Sequence, residues 1–143
     1  MRRTTSALFA LAGLALLIPS SASAVGTPVI VAGPGGTTVG YTQPVAVAQP
    51  GDKIDLIVAD VAPHDVVSRE MGPDTAAHCS EDANPAPGVQ RRFKLGECPV
   101  FWSRLVGAGT VTPVRGLENI ASGTIYEYYC TIHSNMVGQL VAI

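Results

Sequence analysis

Short apolar runs, rich in Val and Ile, alternate along this chain with Gly, Pro, Asn and Asp. This pattern predicts β-strands joined by turns. Beyond residue 24, no stretch of twelve residues has the apolar spacing of an amphipathic helix. The predicted strands are 27–32, 37–41, 45–48, 53–59, 110–114, 125–130 and 138–142. Seven to eight short strands of this kind indicate an all-β protein built as a β-sandwich.

Two of the predicted strands alternate clearly enough to be oriented. In the strand at 53–59, Ile54, Leu56 and Val58 share one face, which we expect to face the core. In the strand at 125–130, Cys130 shares a face with Tyr126 and Tyr128, which are large and partly apolar, whereas Glu127 points the other way. The thiol of Cys130 is therefore predicted to point inward.

The N-terminus has the pattern of a secretory signal peptide. Arg2 and Arg3 precede an apolar run at 7–18, and small residues follow up to Ala24, where we predict cleavage. The apolar run is short for a membrane span, so no stable membrane insertion is expected once it is removed. The sequence thus predicts an exported chain, periplasmic or extracellular, whose residues 25–143 form one domain and a monomer.

Composition excludes several classes of function. The net charge is −2 and becomes more negative without the signal peptide, which argues against nucleic-acid binding. The one basic cluster, at 91–94, is expected to be a solvated loop, with a docking patch for an acidic partner as the alternative. The chain has three histidines and neither a Gly-x-Ser-x-Gly motif nor a phosphate-binding glycine loop. We therefore expect no enzymatic activity.

A thiol, an imidazole and a thioether lie within seven residues near the C-terminus, at Cys130, His133 and Met136. Such soft donors favour copper, and two histidines, one cysteine and a distant methionine form the blue-copper electron-transfer site. The second histidine must be His64, which follows a predicted core strand, or His78, which stands in an irregular segment and is expected to be an exposed polar residue. The alternative is a structural role, with Cys130 and Met136 packed in the core.

Residues 123–138 resemble the C-terminal copper loop of plastocyanin-like cupredoxins, and the two-residue gap between His133 and Met136 resembles the short loop of amicyanin. The resemblance implies a Greek-key β-sandwich with one type 1 copper per chain. The ligands that it implies are His64, Cys130, His133 and Met136. It also implies that Tyr129 is an electron entry point, although Tyr129 could equally be an ordinary exposed strand aromatic.

The function that follows from this resemblance is the transport of single electrons between a redox protein donor and an acceptor. An apolar surface formed by Ala62, Pro63, Met136 and Val137 is expected beside the more exposed histidine, His133. The alternatives are a copper carrier or buffer that delivers the ion, and an adhesion module without metal. Copper carriers tend to be rich in methionine, whereas this chain has only two methionines after the signal peptide.

The three cysteines leave one unpaired after a single disulfide. A Cys79–Cys98 disulfide would leave Cys130 as a metal thiolate, whereas pairing of Cys130 with either of the others would remove the copper site. The first arrangement would tie a loop insertion at about 72–99 onto the sandwich. Trp102, shortly after this insertion, is a candidate core residue. Asp65, next to His64, stands where plastocyanins usually have Asn.

Overall fold

The structure is a computed structural model that describes residues 28–73, 79 and 97–143. The predicted signal peptide, His78 and the basic cluster at 91–94 lie outside the described residues. Within these ranges the strands are β1 (Val29–Ala32), β2 (Val45–Ala48), β3 (Ile54–Val58), β4 (Val67–Ser68), β5 (Met71–Pro73), β6 (Glu97–Pro99), β7 (Val111–Val114), β8 (Ile125–Cys130) and β9 (His133–Ala142). The remaining elements are α1 (Gly36–Val39) and a 3₁₀ turn at Leu117–Asn119. The all-β prediction is confirmed.

The strands form two main sheets and a small ribbon. One sheet has the order β1-β3-β7, with β1 parallel and β7 antiparallel to β3. The other has the order β2-β9-β8-β4, in which β9 runs parallel to β2 and antiparallel to β8. β5 and β6 pair with each other at the two ends of the segment predicted to be an insertion.

One apolar core lies between the two main sheets. Ile54, Leu56 and Val58 of β3 are fully buried, as their alternation predicts. Tyr126, Tyr128 and Cys130 of β8 belong to the same buried cluster. Because both sheets contribute their inward faces to one core, the molecule is a β-sandwich, and the thiol of Cys130 lies inside it.

Two of the strand predictions were wrong. Residues 37–41 were predicted as a strand but contain the end of α1, because Gly35 takes a positive φ of 77° and turns the chain into a helical turn. β9 begins at His133 rather than at 138, since the preceding turn is only two residues long. The two main sheets together hold seven strands, within the predicted seven to eight, and the separate ribbon adds β5 and β6, which are too short to show a pattern in the sequence.

None of the helices in the described part of the chain has the length and apolar character required to cross a membrane.

Candidate metal centre

Cys130 and His133 face each other across a tight turn. They end β8 and begin β9, with only Thr131 and Ile132 between them, and they are paired residues in the strand ladder. A register irregularity after Tyr129 lets the hairpin close at this point. The Cys130 Sγ atom lies 3.4 Å from His133 Nδ1. The turn itself therefore brings the thiol and one imidazole together.

His64 supplies the second imidazole. It follows β3 and is completely buried, and its backbone N–H and C=O both pair with Val106, each at 3.0 Å. Its Nδ1 lies 3.9 Å from Cys130 Sγ, and its ring centroid lies 4.7 Å from that of His133. A donor atom from each of His64, Cys130 and His133 lies within 4.8 Å of the others. One metal ion could contact all three.

Met136 lies on β9, three residues after His133, and its side chain is completely buried in the core. It therefore does not contribute to an exposed apolar surface, and that part of the prediction was wrong. The reason is that residues of β9 alternate from Met136 onward, so Met136, Gly138 and Leu140 are buried while Val137 and Gln139 are more exposed. The thioether of Met136 belongs to the same buried cluster as Cys130.

The imidazole of His133 is only partly buried, which makes it the most exposed of the three clustered donors. Burial lowers the pKa of His133, and the neighbouring His64 lowers it further, whereas Asp60 acts in the opposite direction. The uncharged form, which carries the lone pair that binds metals, is thereby favoured near neutral pH. The donor set consists of one cysteine sulfur and two imidazoles, which suits copper.

Asp60 is a member of the site that the sequence did not predict. Its Oδ2 lies 2.9 Å from Nε2 of His64, and its side chain is almost fully buried. The hydrogen bond to His64 is the main reason that the pKa of Asp60 falls to about 2, and backbone N–H groups, among them those of Val61 and Gly35, contribute. Asp60 is thus ionised at neutral pH. The only sign of this contact in the sequence was that Asp60 lies four residues before His64.

Asp65, which follows His64, connects the two segments that carry the donors. Its carboxylate oxygens accept hydrogen bonds from the backbone N–H of Thr131 at 2.8 Å and from the Thr131 hydroxyl at 2.7 Å. Its backbone carbonyl accepts a hydrogen bond from the hydroxyl of Tyr41. The acid at this position therefore joins the His64 segment to the Cys130–His133 turn directly.

No family model matches this chain, and no curated protein matches it. It is similar to several solved structures. One is the Cu(I) form of an amicyanin variant, with 16% identity, 85% of this chain and 87% of that chain covered, and a TM-score of 0.49. Another is an azurin from Methylomonas sp. strain J, with 16% identity, 80% and 95% coverage, and a TM-score of 0.49. A purple cupredoxin from Nitrosopumilus maritimus has 17% identity, 80% and 98% coverage, and a TM-score of 0.47.

The chain resembles the cupredoxins. The resemblance predicted from the sequence is confirmed by the two-sheet sandwich and by the cluster of His64, Cys130 and His133, with Met136 buried in the same core. The chemistry of the site follows from these side chains of the chain itself rather than from the solved structures, which are distant in sequence.

The predicted disulfide is present in this cupredoxin-like sandwich. Cys79 and Cys98 are bonded to each other, and Cys130 lies outside the disulfide with its thiol buried. The disulfide packs in a second buried cluster with Val67 and Trp102, which confirms Trp102 as a core residue. The arrangement that leaves a thiol for metal binding is therefore the one adopted.

Tyr129, the predicted electron entry point, is half-buried against that second cluster. The guanidinium of Arg69 lies over its ring, 5.1 Å from the ring centroid, and also pairs with the carboxylate of Glu127. Tyr129 is thus covered on one face by a cation rather than fully open to solvent.

Proposed function

We propose that this chain is an exported type 1 copper protein that carries single electrons between a protein donor and a protein acceptor. The observation that carries the proposal is the convergence of Nδ1 of His64, Sγ of Cys130 and Nδ1 of His133. Copper bound there would supply one-electron redox chemistry by alternating between Cu(II) and Cu(I).

Each donor has a proposed role. His64, Cys130 and His133 would be the three strong ligands, and Met136 would be the weak axial ligand that helps to set the reduction potential. The surroundings of these donors are fixed, because the His64 backbone is held by Val106 and the turn that carries Cys130 and His133 is held by Asp65. A site that is held in one arrangement needs little reorganisation when an electron arrives or leaves.

The path of the electron is also part of the proposal. His133 is more exposed than the buried His64 and Cys130, so its imidazole edge is the proposed contact with a partner. Tyr129 remains a second proposed entry point, reached through the backbone of Cys130. We propose the periplasm or the cell exterior as the location, and residues 25–143 as one cupredoxin-like domain with its insertion at about 72–99.

The test is a visible absorption spectrum of the chain without residues 1–24, loaded with Cu(II) and then titrated with ascorbate. An intense blue thiolate-to-copper band that disappears on reduction and returns on oxidation supports the proposal. The control is Cys130→Ser, which should lack the band. A wild-type protein that binds no copper would exclude the function and leave Cys130, His133 and Met136 as structural residues.

The second candidate function, a copper carrier, differs from electron transfer in whether the protein gives up its copper ion. The burial of His64, Cys130 and Met136 favours retention, because a chelator could approach mainly from the His133 side. We expect the protein to keep its copper through repeated reduction and oxidation in the presence of a Cu(I) chelator. Transfer of the ion to the chelator in the first reduction would favour the carrier.

A further inference from the structure

A buried carboxylate stands directly behind the proposed ligand His64. Asp60 Oδ2 lies 2.9 Å from His64 Nε2, and both side chains are shielded from solvent, with exposures of 4% and 0%. The opposite ring nitrogen, Nδ1, is the one that faces Cys130. The imidazole of His64 therefore lies between the carboxylate of Asp60 and the thiol of Cys130.

This carboxylate is fixed in place by the backbone. Asp60 Oδ1 accepts hydrogen bonds from the N–H of Val61 at 2.7 Å and from the N–H of Gly35 at 3.3 Å. Gly35 belongs to a separate segment, the turn before α1, so two parts of the chain hold the same oxygen. The other oxygen, Oδ2, is directed at His64.

The turn at α1 also covers the pair. A Cβ atom added at Gly36 would lie 3.2 Å from Asp60 Oδ2 and 3.5 Å from the nearest atoms of the His64 ring. The backbone of Gly36 thus lies against both side chains and leaves little room for water beside them. An electrostatic interaction that is shielded from water in this way is stronger than the same interaction at the surface.

Two consequences follow from this geometry. A carboxylate oxygen 2.9 Å from Nε2 is an acceptor for a proton on that nitrogen, so the neutral ring of His64 carries its proton on Nε2 and leaves the lone pair of Nδ1 for a metal ion. A carboxylate hydrogen-bonded to a metal-binding histidine also makes the ring a stronger donor. Its negative charge favours the more highly charged state of the metal, Cu(II).

We propose that Asp60 is a positioning residue that fixes the tautomer of His64 and biases the copper site toward Cu(II). The proposed bias toward Cu(II) rests on the proposed function. The proposed tautomer of His64 does not, because it concerns the protein without metal. The residue acts through His64 and has no role as a ligand.

The first test needs no copper. In metal-free protein labelled with ¹⁵N, the nitrogen shifts of His64 above pH 7 report which ring nitrogen carries the proton. We expect the proton on Nε2 in the wild type. In Asp60→Asn the amide can accept through oxygen or donate through nitrogen, so we expect a mixture of tautomers. A proton on Nδ1 in the wild type would overturn the proposal, whether or not the variant folds.

The second test is the reduction potential of the copper-loaded protein. Loss of such a partner typically weakens metal binding about 10- to 100-fold. If the weakening affects the binding of Cu(II) and not that of Cu(I), Asp60→Asn should raise the reduction potential by about 60 to 120 mV. The conversion is about 59 mV per tenfold change in affinity for one electron. The matched control is Asp55→Asn, which removes the same charge from the outward-facing side of β3 and should leave the potential near that of the wild type.

The outcomes distinguish this proposal from the proposed function. A blue Asp60→Asn variant with the wild-type potential would overturn the role of Asp60 and leave electron transfer intact. A wild-type protein that binds no copper would overturn the proposed function and the redox bias together, while the tautomer measurement would still decide whether Asp60 positions His64.

Discussion

Asp65 and Thr131 join the two segments that hold the proposed copper ligands. Both carboxylate oxygens of Asp65 are used, one by the backbone N–H and one by the hydroxyl of Thr131, at 2.8 and 2.7 Å. Asp65 follows His64, and Thr131 follows Cys130, so the contact lies one residue from a ligand on each side. Loss of these two hydrogen bonds would remove a direct link between the two segments.

We expect Asp65→Ala to destabilise the protein by about 1–3 kcal/mol, because the partly buried N–H of Thr131 would lose its acceptor. Asp65→Asn is the matched control: the amide oxygen can still accept from the backbone N–H, and the amide N–H can donate to the hydroxyl. Urea unfolding of the metal-free proteins measures both changes. Equal losses in the two variants would show that the charge of Asp65, rather than its hydrogen bonds, joins the segments.

Gly138 on β9 is required by the ring that lies across from it. It pairs with Tyr128 of β8, and a Cβ atom at this position would lie 2.3 Å from Tyr128 Cζ. Gly138→Ala should therefore cost about 1–3 kcal/mol through displacement of the ring. Gly107→Ala is the control, since nothing lies within 4 Å of a Cβ there and its φ is not positive. Similar melting temperatures for both variants would contradict the prediction.

The burial of Tyr128 leads us to expect that the protein loses stability at alkaline pH. Burial raises the pKa of Tyr128 above its ordinary value. An unfolded chain ionises this tyrosine near pH ~10, whereas the folded chain keeps the proton, so the unfolded state binds fewer protons and stability falls as the pH rises. The expected slope from this one group is about 1.4 kcal/mol per pH unit above pH ~10.

The variant Tyr128→Phe isolates this contribution from other groups that titrate at high pH. The Tyr128 hydroxyl makes a long hydrogen bond, 3.4 Å to the carbonyl of Pro44, so its removal should change stability little at pH 7. Above pH ~10 the variant should lose stability less steeply than the wild type. Urea unfolding at a series of pH values gives the free energy of unfolding of both proteins. If it falls equally steeply with pH in the two, the folded state ionises Tyr128 as readily as the unfolded chain.

The parts of this fold that the sequence predicted correctly are those set by local alternation. β3 and β8 alternate strictly between more and less buried residues, and the core faces of both strands are where the sequence pattern places them. The closeness of Cys130 and His133 was equally predictable, because a two-residue turn fixes the distance between them.

Other parts could not be predicted because they depend on contacts between distant segments. The helical turn α1 forms where neighbouring glycines allow it, and a side chain of β9 helps to hold it: Asn135 donates to the carbonyl of Thr38 at 2.8 Å. Asp60 looks like an ordinary turn residue in the sequence. Its importance appears only when the chain turns back after β3 and directs the His64 ring toward it.

The disulfide should contribute to stability without changing the metal site. Cys79 and Cys98 are 19 residues apart, and a loop of this size gives about 3 kcal/mol in the chain-entropy model. The double variant Cys79→Ala, Cys98→Ala should lose about that much in urea unfolding of the metal-free protein, yet keep the blue band when loaded. Loss of the band would show that the second cluster, which Tyr129 contacts, also maintains the position of Cys130.

Met136 provides the sharpest test of the ligand set. Replacement by Gln offers a harder oxygen donor in place of sulfur, which favours Cu(II) over Cu(I). We therefore expect Met136→Gln to keep copper and to lower the reduction potential. The buried amide should also cost about 1–3 kcal/mol of stability where it finds no partner. Met71→Gln is the control, because Met71 is 47% exposed and lies on β5, outside the donor cluster.

Voltammetry of the three proteins decides the role of this side chain. A lower potential in Met136→Gln, with Met71→Gln matching the wild type, is the expected result. An unchanged potential in Met136→Gln, combined with the loss of stability, would show that Met136 is a core residue and nothing more. In that case His64, Cys130 and His133 would form the site without a thioether.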